Sequence, residues 1–330
     1  MSPLRAGIAG YGLAGEVFHA PLIDFVDGIE VAGIVTTDPD RQARARATYP
    51  NSRVVYSVEE LWDRIDVLVV AAPNRAHVPL GLAAIERGLP VVMDKPIAPS
   101  LTDAELLVST GGRLTVFQNR RFDGDFLTLH GVLDRGELGR VTRFDSRFEL
   151  FRPQVSEGWR ELADAGEGGG VLLDLGAHLV DQARELFGPP LRVYAELHRR
   201  RTGAQVEDDA FVALEHENEV RAHLWMSMAA PLHGPRFRVS GLERGFTSDG
   251  LDPQEAQLTE GMRPGDPGYG ESGELEPGAY QRFYEGVVAW LRDGAPPPVD
   301  PRDSLACMRV LDAARRSAET HSVIELEGTS

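Results

Sequence analysis

"GIAGYGLAG", residues Gly7 to Gly15, closes a short apolar run (Leu4–Ala9) and opens a helical segment. A Gly10-x-Gly12-x-x-Gly15 pattern between a strand and a helix is the phosphate-binding turn of a dinucleotide fold. Gly10 makes the tight turn, Gly12 lets the backbone approach a pyrophosphate, and Gly15 lets helix and strand pack closely. Tyr11, Leu13 and Ala14 complete the loop. The helix N-terminus offers unpaired N–H groups and a partial positive charge to the phosphates. Three turn glycines without a ligand would be the plainer account, but the strand–turn–helix setting favours dinucleotide binding.

Outward from this turn, apolar runs alternate with helical segments. Glu30–Thr36, Val67–Ala72, Val91–Met93 and Leu114–Phe117 read as strands. Leu80–Arg87 reads as a helix closed by Gly88, and another helix starts at Thr102 as its N-cap. Unbroken Val/Ile/Leu strands separated by helices predict a parallel sheet covered on both faces. The pattern then changes. Val141–Glu149, Ala210–Glu215, Val220–Trp225 and Phe237–Ser240 alternate between apolar and polar, and helices begin at Tyr280 and Ser304. The expected fold is α/β: an N-terminal Rossmann dinucleotide-binding domain over 1–119, then a C-terminal α+β domain over 120–330 with an open, mostly antiparallel sheet. Gly261 to Gly278 is half Gly and Pro. It is expected to be a flexible surface loop, with a lid carrying Tyr269 as the alternative.

Composition excludes several function classes. The 330 residues are 42% hydrophobic and 26% charged, as in an ordinary globular protein of about two domains. Net charge is −17, and the only basic run, Arg199–Arg201, is short. Nucleic acid and membrane are therefore not expected partners. A single cysteine, Cys307, rules out a disulfide framework and a cysteine-based zinc site, and no metal is expected. The amino terminus lacks signal-peptide character, and the longest apolar run, Val67–Ala72, is too short to span a bilayer. A cytoplasmic setting is expected.

Cofactor choice is read at the tip of the second strand, Val35-Thr36-Thr37-Asp38. NAD sites place an acid there to hold the ribose 2′-OH. Here hydroxyls stand at the tip, the acid comes late, and Arg41 and Arg44 follow, which favours NADP, with NAD as the alternative. Asp94-Lys95-Pro96 falls at the carboxyl end of a strand, where open α/β sheets bind ligands. Lys95 is the only lysine in the chain, placed to reach a phosphate, to do proton chemistry, or simply to be solvated. Further on, Gly168–Gly170 leads into a helix on which Asp174, His178 and Asp181 share one face, opposite Leu172, Leu175, Leu179, Ala183 and Leu186. That stripe is either solvated or turned towards a substrate.

Together these residues resemble the Gfo/Idh/MocA oxidoreductase family, which pairs a Glu-Lys-Pro-like motif with Asp-x-x-x-His in a second domain. Here those are Asp94-Lys95-Pro96 and Asp174 to His178. The resemblance covers essentially the whole chain and is strongest to NADP-dependent scyllo-inositol dehydrogenases, through "FHAPLI" (18–23), "FQNRRFDGDFLTL" (117–129), "FRPQVSEGWRE" (151–161) and "GLDPQE" (250–255). Two departures stand out: Asp94 replaces Glu, and Gln118 stands where the subgroup tends to have His.

The resemblance implies a hydride transfer between a nicotinamide cofactor and a polyol or sugar. His178 would be the general base, Asp174 a substrate or imidazole partner, and Lys95 the group that polarises the oxygen. Asp181 would tie the helix to the scaffold. Pro73, Asn74 and His77, with Asp94, Asn119, Trp159 and Arg160, would contact the cofactor, and Arg121 the substrate. The resemblance also implies a homodimer or homotetramer, with Phe211, Leu224 and Trp225 on the contacting sheet face. The alternative is a non-catalytic sugar or nucleotide sensor. One cysteine disfavours a zinc alcohol dehydrogenase, and the absence of Tyr-x-x-x-Lys disfavours a short-chain dehydrogenase.

Overall fold

The computed structural model describes residues 2–156, 161 and 168–326. Its contacts divide the chain into two compact units. The first holds the residues up to Ala98, Asp103–Gly124 and Asp252–Arg302; the second holds Pro99–Thr102, Asp125–Leu251 and the chain from Asp303.

In the first unit six strands form one sheet: β1 (Leu4–Ala9), β2 (Ile29–Val35), β3 (Arg53–Val55), β4 (Val67–Val70), β5 (Val91–Asp94) and β6 (Leu114–Phe117). Their order is β3-β2-β1-β4-β5-β6, and every pairing is parallel. Every residue of β4 and β6 is buried, as expected of strands covered on both faces. The order reverses between β1 and β4, and such a switch point is where a doubly wound sheet binds its ligand.

Residues 252–302 belong with this unit rather than with the second, which corrects the expected division at 119. The helix Gln281–Asp293 buries Phe283, Tyr284 and Val287 in the cluster that holds Ile8, Ile23 and Val69. Each such side chain contributes about 1.5–3 kcal/mol when fully buried. Thr115 Oγ1 donates to the Val299 carbonyl at 2.8 Å, and Arg292 Nη2 donates to the Gly28 carbonyl at 2.9 Å. The stretch Gly261 to Gly278 is not a loose loop either. Tyr269 lies in the same cluster, and Gln257 bonds both Gly268 O (3.0 Å) and Gly270 N (2.7 Å). A tyrosine packed in the core is not the tip of a lid.

The second unit carries a seven-stranded sheet in the order β12-β11-β7-β10-β9-β8-β13. Its strands are β7 (Val141–Glu149), β8 (Pro190–His198), β9 (Asp209–His216), β10 (Arg221–Ser227), β11 (Phe237–Gly241), β12 (Gly245–Ser248) and β13 (Ile324–Glu325). All pairings are antiparallel except β7 with β10. Sequence reasoning missed β8, because the Pro189-Pro190 pair that opens it reads as a break. Phe211 and Trp225 are cross-strand partners with ring centroids 4.3 Å apart, and Trp225 is exposed. Leu224 is fully buried. Successive strand residues point to opposite faces, so Leu224 cannot share the outer face with Trp225, a correction to that expectation. Among the described residues no helix is long and apolar enough to cross a membrane.

Candidate active site

The three loop glycines do different work. Gly10 sits at φ 104°, and a Cβ there would lie 2.5 Å from the Ala71 carbonyl oxygen at the end of β4. A Cβ on Gly15 would lie 2.1 Å from the Gly10 oxygen. Both are glycine because the fold itself leaves no room. Gly12 differs: its Cβ would meet only the Arg41 guanidinium, at an ordinary 3.7 Å. Nothing in the protein's own packing demands glycine there, so the space suits a ligand that must approach the backbone. Tyr11 turns its side chain into the core, where burial pushes its hydroxyl up to about 12, and only its backbone faces the loop. Leu13 is half exposed at the loop apex, and Ala14 begins a π-helical turn, Ala14–His19.

At the β2 tip, Thr36 is buried and Thr37 exposed. Asp38 caps the helix Pro39–Thr48, its Oδ1 accepting from the N–H groups of Asp40 (2.9 Å) and Arg41 (3.0 Å). Those bonds, Arg41's first, hold its carboxyl below the usual range. Arg44 pairs with Glu16 at 2.6 Å. Arg41 makes a looser contact, its Nε 3.8 Å from Asp38 Oδ2 with both side chains nearly half exposed. Arg41 therefore stands as the cation beside Gly12, and the acid is committed to the helix cap.

Asp94 ends β5 alongside Phe117 of β6, and its Oδ1 accepts the Lys95 N–H at 2.8 Å. His77 holds the following residue: Nδ1 is 2.9 Å from the Pro96 carbonyl and Nε2 is 3.0 Å from the Ala72 carbonyl. Burial lowers its pKa. A neutral ring carries one N–H and donates to one of these carbonyls; with 1% exposure, His77 packs against the Lys95–Pro96 loop. Pro73 is exposed, and Asn74, in the short turn after it, is buried. Asn119 is buried at the start of a second such turn, Asn119–Phe122, which carries Arg121. The structure thus brings the glycine cradle, Thr36, Arg41, Asn74, Asp94, Lys95 and Asn119 into one unit.

The second unit holds Asp174, His178 and Asp181. Their helix is broken at Leu175 into Val171–Asp174 and Gly176–Phe187. His178 and Asp181 are 4% and 2% exposed, so the stripe is not a solvated face. Asp174 is half-buried and lines a cavity of about 170 Å³ with Ser156, Glu161, Gly170, Arg201 and Glu207. Gly170 precedes the helix at φ 95°, and a Cβ there would lie 2.3 Å from a Glu207 carboxylate oxygen. Trp159 and Arg160 lie outside the described residues.

Sequence reasoning gave no role to two residues beside Asp94. His19 ends the π-helical turn, fully buried, with Nδ1 2.6 Å from the Tyr284 hydroxyl. The quoted "FHAPLI" marks His19, but no local signal marks Tyr284. Among the described residues no group of three or more His, Cys, Asp or Glu is placed to hold a metal ion.

Comparison with known proteins gives the family and the fold. Residues 4–116 match the model of an oxidoreductase family with an NAD-binding Rossmann fold, and residues 126–247 match a GFO/IDH/MocA C-terminal domain. The chain is 37% identical to the uncharacterized oxidoreductase YdgJ of Escherichia coli, over 97% of this chain and 98% of that one. It is 31% identical to the scyllo-inositol 2-dehydrogenase (NADP(+)) IolW of Bacillus subtilis, over 98% and 96%. A solved oxidoreductase structure from Bacillus cereus superposes with a TM-score of 0.88 at 26% identity, covering 98% of this chain and 99% of that one.

Proposed function

The chain belongs to the Gfo/Idh/MocA oxidoreductase family, and from that premise we propose that it is an NADP-preferring dehydrogenase acting on the CH–OH group of a cyclic polyol or sugar. The observation that carries the reading is Lys95. The chain's only lysine is fixed at the carboxyl end of β5 by Asp94 and His77, in the unit that holds the glycine cradle. The scyllo-inositol dehydrogenase among the relatives supports the substrate class and the NADP preference. Arg41 beside Gly12, with Asp38 used as a helix cap, supports the same preference.

A nicotinamide held at the cradle supplies the hydride acceptor. The protein supplies acid–base chemistry. A hydroxyl gives up its hydride from carbon only as its oxygen gives up a proton, so a base must lie within hydrogen-bond reach. His178 takes that proton, Lys95 donates a hydrogen bond to the oxygen, and Asp174 binds a neighbouring hydroxyl or orients the imidazole. Asp181, almost fully buried, anchors the helix. The active form is a homodimer or homotetramer joined through the outer sheet face around Phe211 and Trp225.

The test is a panel of inositols, their keto forms and aldoses, assayed with both nicotinamide cofactors. With the best substrate, Lys95→Ala and His178→Ala should each depress kcat by about 10²–10⁴-fold while NADPH affinity stays nearly intact. Near-normal kcat in both variants would remove the catalytic assignment.

A further inference from the structure

The ring of His19 packs on Phe117, centroids 4.5 Å apart, and makes one hydrogen bond, between Nδ1 and the Tyr284 hydroxyl. Its buried Nε2 has no hydrogen-bond partner among the described residues and lies 4.0 Å from Asp94 Oδ1. The buried Tyr284 hydroxyl can donate or accept; the Asp94 oxygen beyond Nε2 favours a proton on that nitrogen, so the O–H donates and Nδ1 accepts. Burial keeps the imidazole neutral, lowering its pKa to about 4. A neutral imidazole that accepts at Nδ1 carries its proton on Nε2. That proton faces the same Asp94 oxygen that accepts the Lys95 backbone N–H. At 4.0 Å the contact is longer than a hydrogen bond, yet with His19 fully buried and the Asp94 side chain 17% exposed a charge–dipole attraction still acts across it. The remaining titratable ring near Asp94 is His77, buried and neutral, with the Pro96 carbonyl 2.9 Å from Nδ1 and the Ala72 carbonyl 3.0 Å from Nε2, one of which takes its single N–H.

We propose that His19 is a positioning residue for Lys95: Tyr284 holds its ring at Nδ1, and its Nε2–H steadies the Asp94 carboxylate that holds the lysine's backbone. The inference rests on the reading of Lys95 as the group that acts on the substrate oxygen. It also gives a use to a residue on the turn that follows the glycine cradle, 75 positions before Asp94 in the chain.

Two substitutions separate positioning from packing. The side-chain amide of Asn reaches roughly where Nδ1 stands, and that of Gln where Nε2 stands. His19→Gln therefore keeps a donor towards Asp94, and His19→Asn keeps only the Tyr284 contact. With the best substrate of the panel and NADP⁺, His19→Gln should stay within about 3-fold of the unsubstituted kcat, and His19→Asn should lose more than that, about 5–10-fold, as the polar contact to Asp94 is removed. NADPH affinity should be unchanged in both.

A second readout needs no turnover. The rate at which an N-hydroxysuccinimide ester acetylates Lys95 in the cofactor-free protein, followed by the mass of the single-lysine peptide, should change in His19→Asn and not in His19→Gln. Tyr284→Phe keeps the ring, removes the partner that holds Nδ1 and should fall between them; it decides the matter if a His19 variant does not fold. Equal losses in Asn and Gln, a better Asn, or unchanged kcat and acetylation in Tyr284→Phe would make His19 a packing residue and overturn the inference. Lys95→Ala with normal kcat would instead sink the dehydrogenase reading on which it rests.

Discussion

The glycine cradle makes a prediction in which stability and binding should part company. Gly10→Ala forces a Cβ into a backbone at φ 104° and to within 2.5 Å of the Ala71 oxygen. The backbone strain costs about 1–3 kcal/mol, and the overlap with a neighbouring main chain adds about 1–3 kcal/mol. For a unit of this size, with roughly 2–4 °C lost per kcal/mol, melting should fall by about 10 °C. Gly12→Ala meets nothing closer than Arg41 at 3.7 Å, so the ligand-free chain should stay within about 0.5 kcal/mol of the parent. Its cost should appear only when NADPH is added. A ligand at about 100 times its Kd stabilises by about 2.7 kcal/mol, and a tenfold weaker one at the same concentration by about 1.4 kcal/mol. Thermal unfolding with and without NADPH, beside fluorescence titration, measures both. If Gly12→Ala binds NADPH like the parent, or melts as early as Gly10→Ala without ligand, the division of labour among the glycines is wrong.

Three further outcomes are expected. The kcat/KM ratio of NADP⁺ to NAD⁺ should favour NADP⁺ and fall about tenfold in Arg41→Ala, a charge-assisted contact being worth about 1.5–3 kcal/mol at most; a parent that prefers NAD⁺ refutes it. Light scattering should show a dimer or tetramer, and Trp225→Glu should shift it towards monomer; a parent that is cleanly monomeric ends the proposal. His19 and His216 are each held neutral by burial, down to about 4 from 6.5. The unfolded chain therefore binds more protons between those values, and stability rises with pH across that window and is lost as pH falls. By about pH 5 each should have removed about 2 kcal/mol, at about 1.36 kcal/mol per pH unit, and a melting temperature that stays flat from about pH 7.5 to 5 would refute it.

What was legible in the chain is what spacing alone determines. Gly10, Gly12 and Gly15 stand within six residues, and their setting between strand and helix is local. The parallel strands were legible for a similar reason, since a strand covered on both faces must be apolar throughout. The stripe on the second-unit helix was only half legible. Periodicity says that Asp174, His178 and Asp181 share a face, but not that the face is buried or that the helix breaks at Leu175.

The parts that stayed hidden depend on partners far away in the chain. Tyr284 meets His19 across 265 positions, and Val299 meets Thr115 across 184. The helix Gln281–Asp293 announces an apolar face, yet nothing in its residues says which sheet that face will cover, so a division at 119 assigned it to its neighbours in sequence. Asp38 shows the same limit at one residue. An acid near a strand tip can hold a ribose or cap a helix, and both roles need the same carboxylate at nearly the same place. The choice falls to the cap because Pro39 opens the helix at once and leaves the N–H groups of Asp40 and Arg41 within reach of Oδ1. A carboxylate already accepting two backbone N–H groups has less left to offer a ribose hydroxyl. Arg41 touches that carboxylate only loosely, at 3.8 Å and in contact with solvent, so its guanidinium can turn to a phosphate beside Gly12. The proposed NADP preference therefore rests on a helix cap.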